Sequence, residues 1–216
     1  MHYQRHNSRR LEHLASLELP LASRRVLEVG AGIGDHTSFF LDRGCEVTVT
    51  EARADNLKLL RRRFPNVEVM HLDLDEAKPL NRFWDIAYCY GLLYHLSDPE
   101  HAISFLSKHA DLLLLETCVT PGNGVELNPV SEARESPTQA ISGIGCRPTR
   151  HWVRETLSKH FDYVYSTITQ PWHEEFPLNW NAVETDGLTR SIFIACRGAL
   201  DSANLTLDLP LVQKRV

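Results

Sequence analysis

The sequence predicts an α/β fold built on a doubly wound, mostly parallel sheet, and three observations predict it. Short runs of β-forming residues alternate with helical stretches five times within residues 25–119, the rhythm of βαβ units. The first run ends in a glycine-rich turn, residues 30–34 (GAGIG). Residues 112–115 are four consecutive leucines, as expected of a central parallel strand buried on both faces. At 216 residues the chain is predicted to form one domain: an N-terminal helical cap over 1–23, a core over 24–198 and a tail over 199–216.

The elements follow in order. Leu11, Leu14 and Leu17 mark an amphipathic helix near the N-terminus. Residues 25–29 (RVLEV) form the first strand, and 36–41 a helix stopped by Gly44. Residues 45–50 return to strand composition, 54–64 are helical and closed by Pro65, and 67–72 form a third strand. Residues 84–90 are the fourth. Asp98 and Pro99 open a helix reaching Lys108, with proline at the first helical position. Its His101 and His109 are predicted on an exposed face. Residues 120–147 are rich in Gly, Pro, Ser and Asn, too long for a plain connection and so a functional loop. A helix over 148–161 with Thr149 or Arg147 near its start, a strand over 163–169, an aromatic loop over 170–187 and a strand over 191–196 complete the core. Leu205, Leu207, Leu209 and Leu211 alternate with polar residues and Pro210, an edge-strand pattern that packs on its own domain or on a second subunit.

Composition excludes several classes. Net charge is −5, which disfavours nucleic acid as the default partner, although residues 1–25 carry five arginines against two glutamates and Arg61, Arg62 and Arg63 form a run. No apolar run approaches the ~18 residues of a membrane span, and the first ten residues (MHYQRHNSRR) lack the apolar stretch of a secretory signal. Five scattered cysteines with no CxxC pair read as reduced thiols of a cytoplasmic protein. Eleven histidines form no HxH or HExxH pattern, so no metal is expected.

The sharpest signal is Glu28 followed by Gly30, Ala31, Gly32, Gly34 and Asp35. Glu51 follows at the end of the second strand, at the distance where an acid after such a turn meets a ribose. The glycines let a ligand approach the backbone, and an acid at Glu51 accepts hydrogen bonds from both ribose hydroxyls. The turn reads GxGxG, and Asp35 stands where a dinucleotide fingerprint has its third glycine. A carboxylate there repels a pyrophosphate, which disfavours NAD. Glu28 suits a ligand with a cationic amino group.

The ExGxGxG turn with an acid after the second strand resembles motifs I and II of the class I S-adenosylmethionine (SAM) methyltransferases. The resemblance covers residues 24–119 well and 147–198 in outline, and it extends to HLDLDE at residues 71–76 and CYGLLYHLSDP at 89–99. It implies a Rossmann-like sheet of seven strands, with helices on both faces and an antiparallel strand near the C-terminus. It also implies SAM as cofactor and S-adenosylhomocysteine as product, with Asp73 at the adenine amino group, Leu74 beside the ring, and Ala52 and Tyr90 completing the cofactor site. Tyr94-His95 and Leu115-Glu116-Thr117 resemble most the bacterial tRNA wobble-uridine carboxymethyl-transferring enzymes. The longer N-terminal region and the lysine of those enzymes have no clear counterpart here, while Arg190 stands near an arginine that they use.

His95 is the first candidate for a general base, since a neutral-pH imidazole after the fourth strand suits proton transfer. Tyr94 is a candidate to orient substrate, and Glu116 to bind an amine or act as base. His173 and Glu174, in the aromatic loop with Trp172, Phe176 and Trp180, are further acid/base candidates. The N-terminal helix is expected to bring Tyr3 or His6 to the cofactor. The expected function is methyl transfer to oxygen, nitrogen or sulfur of a small molecule by a monomer or homodimer. The alternatives are an RNA-directed transferase, a nicotinamide-dependent oxidoreductase and a non-catalytic SAM-binding module.

Overall fold

A computed structural model describes residues 2–183 and 187–216. Part of the predicted aromatic loop, residues 184–186, lies outside the described residues. The sheet is built from β1 (Arg25–Glu28), β2 (Glu46–Glu51), β3 (Glu68–His71), β4 (Trp84–Tyr90) and β5 (Ala110–Val119) in parallel. After α1 (His2–Ser16) the crossovers are α2 (Thr37–Leu41), α3 (Ala54–Arg63) and α4 (Pro99–His109). A hairpin of β6 (Pro129–Ser131) and β7 (Ile144–Cys146) interrupts the long loop before α5 (Arg150–Ser158). Beyond it come β8 (Tyr163–Thr167), β9 (Thr169–Gln170), β10 (Thr189–Cys196), β11 (Leu205–Thr206) and β12 (Lys214–Arg215).

The strand order is β11-β8-β10-β5-β4-β1-β2-β3, with β10 antiparallel to both neighbours. The mostly parallel sheet and the antiparallel insertion are as expected. The count differs by one, because Leu205 and Thr206 add an eighth, two-residue strand on the outer side of β8. The alternating leucines do not continue it. Leu207 and Leu211 are about half exposed, and the chain crosses instead to pair Lys214 and Arg215 with β9.

Period-two patterning divides the core between the two faces. Val26, Val47, Val49, Ile86, Leu112 and Leu114 pack with Leu14, Leu17, Phe39, Phe40 and Leu60 on one side. Leu27, Ala87, Leu113 and Leu115 pack with Ile103, Leu106, Val153 and Leu157 on the other. Asp98 caps α4 by accepting from the His101 N–H, and Thr149 caps α5 by accepting from that of Trp152. His109 departs from expectation: it is 2% exposed. Its Nδ1 bonds to the Phe105 carbonyl and its Nε2 accepts from the Leu80 N–H. Residue 109 continues the inward stripe of Ala102, Phe105 and Leu106, which sequence position alone left unsettled. All five cysteines are buried free thiols. No helix among the described residues is long and apolar enough to cross a membrane.

Candidate active site

The chain runs outward from β1 through β2 to β3 and then returns to β4 on the other side of β1. Such a reversal opens a crevice at the carboxyl ends of the strands. A cavity of about 100 Å³ lies there, walled by the turn after β1, by Tyr88, Tyr90, Gly91 and Tyr94 of the β4 end, and by Tyr3, His6, Asn7 and Arg10 of α1.

Gly30, Gly32 and Gly34 all have positive φ, the left-handed region that the turn needs. Gly32 shows why a side chain is unwelcome on the ligand side: a Cβ there meets nothing within 4 Å and projects into open space. Glu51, at the end of β2, stitches this turn to its own loop. Its Oε2 accepts from the Gly32 N–H at 2.8 Å, and its Oε1 from the N–H groups of Ala52 and Arg53 at 2.9 and 2.8 Å. A carboxylate has about four lone-pair positions, so one on Oε2 remains. Glu28 is fully buried under the turn and accepts from Thr37 Oγ1 at 2.7 Å. Burial pushes its carboxyl up to about 7, against the opposing hydrogen bond. Asp35 is held by Asn7 and Arg63. Asp73 and Leu74 lie beyond β3, away from this cavity. Asp73 accepts from the Asp75 N–H, and Leu74 is core.

The other wall is built by charges from distant parts of the chain. Glu116, at 0% exposure, receives Arg10 of α1 on one oxygen at 2.8 Å and Arg190 of β10 on the other at 3.0 Å. Arg190 also binds Glu175 and donates to Tyr94 Oη at 3.3 Å. Burial alone would push Glu116 up, but the two guanidiniums outweigh it and hold the carboxyl below its usual value. Burial pushes Tyr94 and Tyr90 upward, so both phenols keep their protons. Tyr90 Oη is buried at the cavity wall with no hydrogen-bond partner among the described residues.

His95 closes the short turn Leu93–His95, one residue beyond the cavity wall, its ring 4.0 Å from that of Tyr94. Its Nδ1 lies 2.5 Å from Glu132 Oε2. Glu132 also accepts from the Ala140 N–H at 2.7 Å and from Arg147 at 3.1 Å. The hairpin carrying Glu132 seats closely on this turn. A Cβ at Gly145 would stand 2.5 Å from the Tyr94 carbonyl oxygen, an approach open only to glycine.

His173 is 2% exposed and lies behind His6, with ring centroids 4.6 Å apart, beside the fully buried Phe176. Phe176 packs with Leu14 and Leu17 of α1, Trp172 is exposed and Trp180 lies under Arg150, so the loop's aromatic side chains leave the cavity wall to the tyrosines. His6, His173 and Glu175 offer ligand atoms within 4.8 Å of one another, a convergence of α1 with a loop near the other end of the chain that sequence spacing does not reveal. Arg190 donates to Glu175, and the Glu175 N–H donates to His173 Nδ1 at 3.3 Å, so this cluster is already tied into the protein's own hydrogen bonds.

Sequence reasoning missed Asn7, Arg10, Glu132 and Arg147. Arg10 was visible only as part of a basic segment. That segment is largely neutralised: Arg5 binds Glu174, Arg9 binds Glu12, Arg10 binds Glu116 and Arg25 binds Asp85.

A doubly wound sheet with a glycine turn, an acid after β2 and a crevice at the switch point defines a nucleotide-type ligand site. Residues 2–136 match the family model of a methyltransferase domain, and the chain belongs to that family. Among curated relatives it is 32% identical over 123 residues to a tRNA U34 carboxymethyltransferase of Mannheimia succiniciproducens, matching 52% of this chain and 37% of that one. It is 30% identical over 129 residues to a malonyl-[acyl-carrier protein] O-methyltransferase of Enterobacter lignolyticus, matching 52% and 51%. The chain thus spans about a third to a half of the relatives it matches. In fold it is similar to the N-terminal domain of EvdMO1, solved with S-adenosylhomocysteine (SAH) and D-fucose, at TM-score 0.71, 19% identity and coverage of 89% of this chain and 83% of that one. It is also similar to the SAM-bound glycopeptide N-methyltransferase MtfA, at TM-score 0.58, 17% identity and coverage of 89% and 87%.

Proposed function

We propose that the protein is a SAM-dependent methyltransferase acting on a small molecule. The observation that carries this reading is the pairing of the open Gly32 turn with Glu51, whose carboxylate reaches the turn and keeps a lone pair for a ribose hydroxyl. The unpartnered Tyr90 Oη fits a polar ligand in the same crevice. Glu28 lines the crevice where a cationic amino group is expected. When bound, SAM supplies an electrophilic methyl group on a sulfonium. The chain's own residues bind and orient: Gly30, Ala31, Gly32 and Gly34 present backbone, Glu51 and Ala52 bind the ribose edge, and Tyr90 and Tyr94 wall the methyl side. Glu116, clamped by two arginines, holds the site together and is withdrawn from the role of base. His173 buttresses His6.

The tRNA reading draws on the carboxymethyltransferase relatives. Internal pairing of the N-terminal arginines leaves little free charge for phosphate and favours the small acceptor. Calorimetric titration with SAM, SAH and NAD tests the cofactor, with binding of the first two and none of NAD expected. Tight, steeply salt-dependent binding of bulk tRNA would overturn the small-acceptor reading.

A further inference from the structure

We infer that Glu132 is a positioning residue that fixes His95 as the base for a hydroxyl acceptor, an assignment that rests on the methyltransferase reading and deepens it. Glu132 is a carboxylate: burial would raise its pKa, but His95 and the Ala140 N–H hold it below the usual value. An ionised carboxylate only accepts. The 2.5 Å contact therefore places the His95 proton on Nδ1, and Nε2 carries the lone pair. Burial lowers the His95 pKa more than Glu132 raises it, so the ring is neutral at pH 7. The charged and titratable groups facing the ring are Glu132, Arg147, Arg190 and Tyr94. Arg147 holds the second oxygen of Glu132 and stands over the Tyr94 ring, so carboxylate, imidazole and cavity wall form one unit. His95 Nε2 makes no hydrogen bond among the described residues, and its ring lies 4.0 Å from that of Tyr94, which walls the cavity; the acceptor hydroxyl is assigned to the Tyr94 end of the cavity on that adjacency.

The acceptor class follows from the charges. Glu116, Glu132 and Glu175 are each engaged by arginine and Glu28 is assigned to the cofactor's amino group, which leaves none of these carboxylates to hold a cationic acceptor. A hydroxyl needs only a proton acceptor. Its oxygen bonds to the methyl carbon as the carbon–sulfur bond breaks, the electron pair goes to sulfur, and the hydroxyl proton goes to Nε2 of His95. The dyad also explains the hairpin, which delivers Glu132 to the turn after β4 and seats through Gly145 on the Tyr94 carbonyl.

The test is ¹⁵N NMR of histidine-labelled full-length protein with saturating SAH, in wild type, Glu132→Gln and Glu132→Ala. The expected wild-type signal is a neutral Nδ1–H tautomer. Glu132→Gln should lower the His95 pKa, and Glu132→Ala should mix the tautomers. A wild-type Nε2–H tautomer, or titration unchanged in both variants, overturns the positioning role. In parallel, methyl transfer from labelled SAM to D-fucose, catechol and 2-mercaptoethanol is measured in wild type and His95→Ala. The expected result is methylation of a hydroxyl probe that falls by about 10²-fold or more in the variant. Methylation of the thiol alone, of none of the probes, or of a hydroxyl without dependence on His95 overturns the acceptor class. SAH binding by calorimetry in the same samples separates the two readings: its absence removes the methyltransferase reading, and its presence beside an insensitive His95 removes only this one.

Discussion

The two walls of the crevice are made in different ways. The wall after β1 and β2 is local: Gly30, Gly32 and Glu51 belong to one β1–α2–β2 unit, and backbone N–H groups make most of its contacts. The wall after β4 and β5 is assembled across the whole chain: Arg10 meets Glu116 over 106 positions, Arg190 meets Glu116 over 74, and Glu132 meets His95 over 37. The first kind of wall is fixed once a single βαβ crossover forms. The second exists only after α1, the β6–β7 hairpin and β10 have all docked, and its buried charges tie cofactor geometry to global folding.

The largest expected effect comes from breaking the assembled wall at its centre. Glu116→Gln leaves Arg10 and Arg190 buried opposite an uncharged amide. Removing one partner of a buried ionic cluster costs about 3–5 kcal/mol, and urea unfolding reads it directly. Cofactor affinity should fall with it, because Arg10 anchors the helix that supplies Tyr3, His6 and Asn7 to the cavity. A loss below about 1 kcal/mol, the range of a surface pair, would mean that burial adds nothing to the triad, and the contrast between the walls would collapse.

Glu51→Ala probes the local wall and is expected to do the reverse. It loses hydrogen bonds to a charged acceptor, worth about 1.5–3 kcal/mol, which is roughly 10- to 100-fold in SAM affinity, with a smaller loss of stability. Glu51→Gln sharpens the point, since its amide nitrogen cannot accept the Gly32 N–H. Unchanged affinity in both variants would refute the placement of the ribose.

The same contrast explains what was legible in the sequence. Strand alternation, the Asp98 cap, and the acid Glu51 beyond the Gly30 turn follow from spacing along the chain. So does β10, read from residues 191–196 (SIFIAC). Arg10, Glu132 and Arg147 carry no such signal. A buried arginine on an amphipathic helix reads as a surface charge until its partner is known, and Glu132 sits in a Gly/Pro/Ser-rich segment whose hairpin has strands of only 3 residues each. His109 misled for the same reason: polarity suggested solvent where a backbone N–H supplied the partner.

The smallest effect is a proton. Buried Glu28 titrates near 7 in the folded protein, above its ordinary value of 4.5, so near neutral pH it is about half protonated. The sign of the linkage is fixed by that direction: a raised carboxyl favours the folded state below pH 4.5, and this contribution is lost as pH rises through 7. A cationic amino group placed beside Glu28 favours the carboxylate and drives its pKa down. SAM binding at pH 7 should therefore release about half a proton from Glu28, a release that shrinks as pH rises and Glu28 becomes ionised beforehand. Calorimetric titration in buffers of different ionisation enthalpy measures that number. Glu28→Gln should abolish the release while leaving Glu51 and its bond to the Gly32 N–H in place, so affinity at pH 7 should fall only several-fold. Release that persists in Glu28→Gln would assign the proton to another group of the crevice; His36, at the start of α2, is already held neutral by burial and by Arg10.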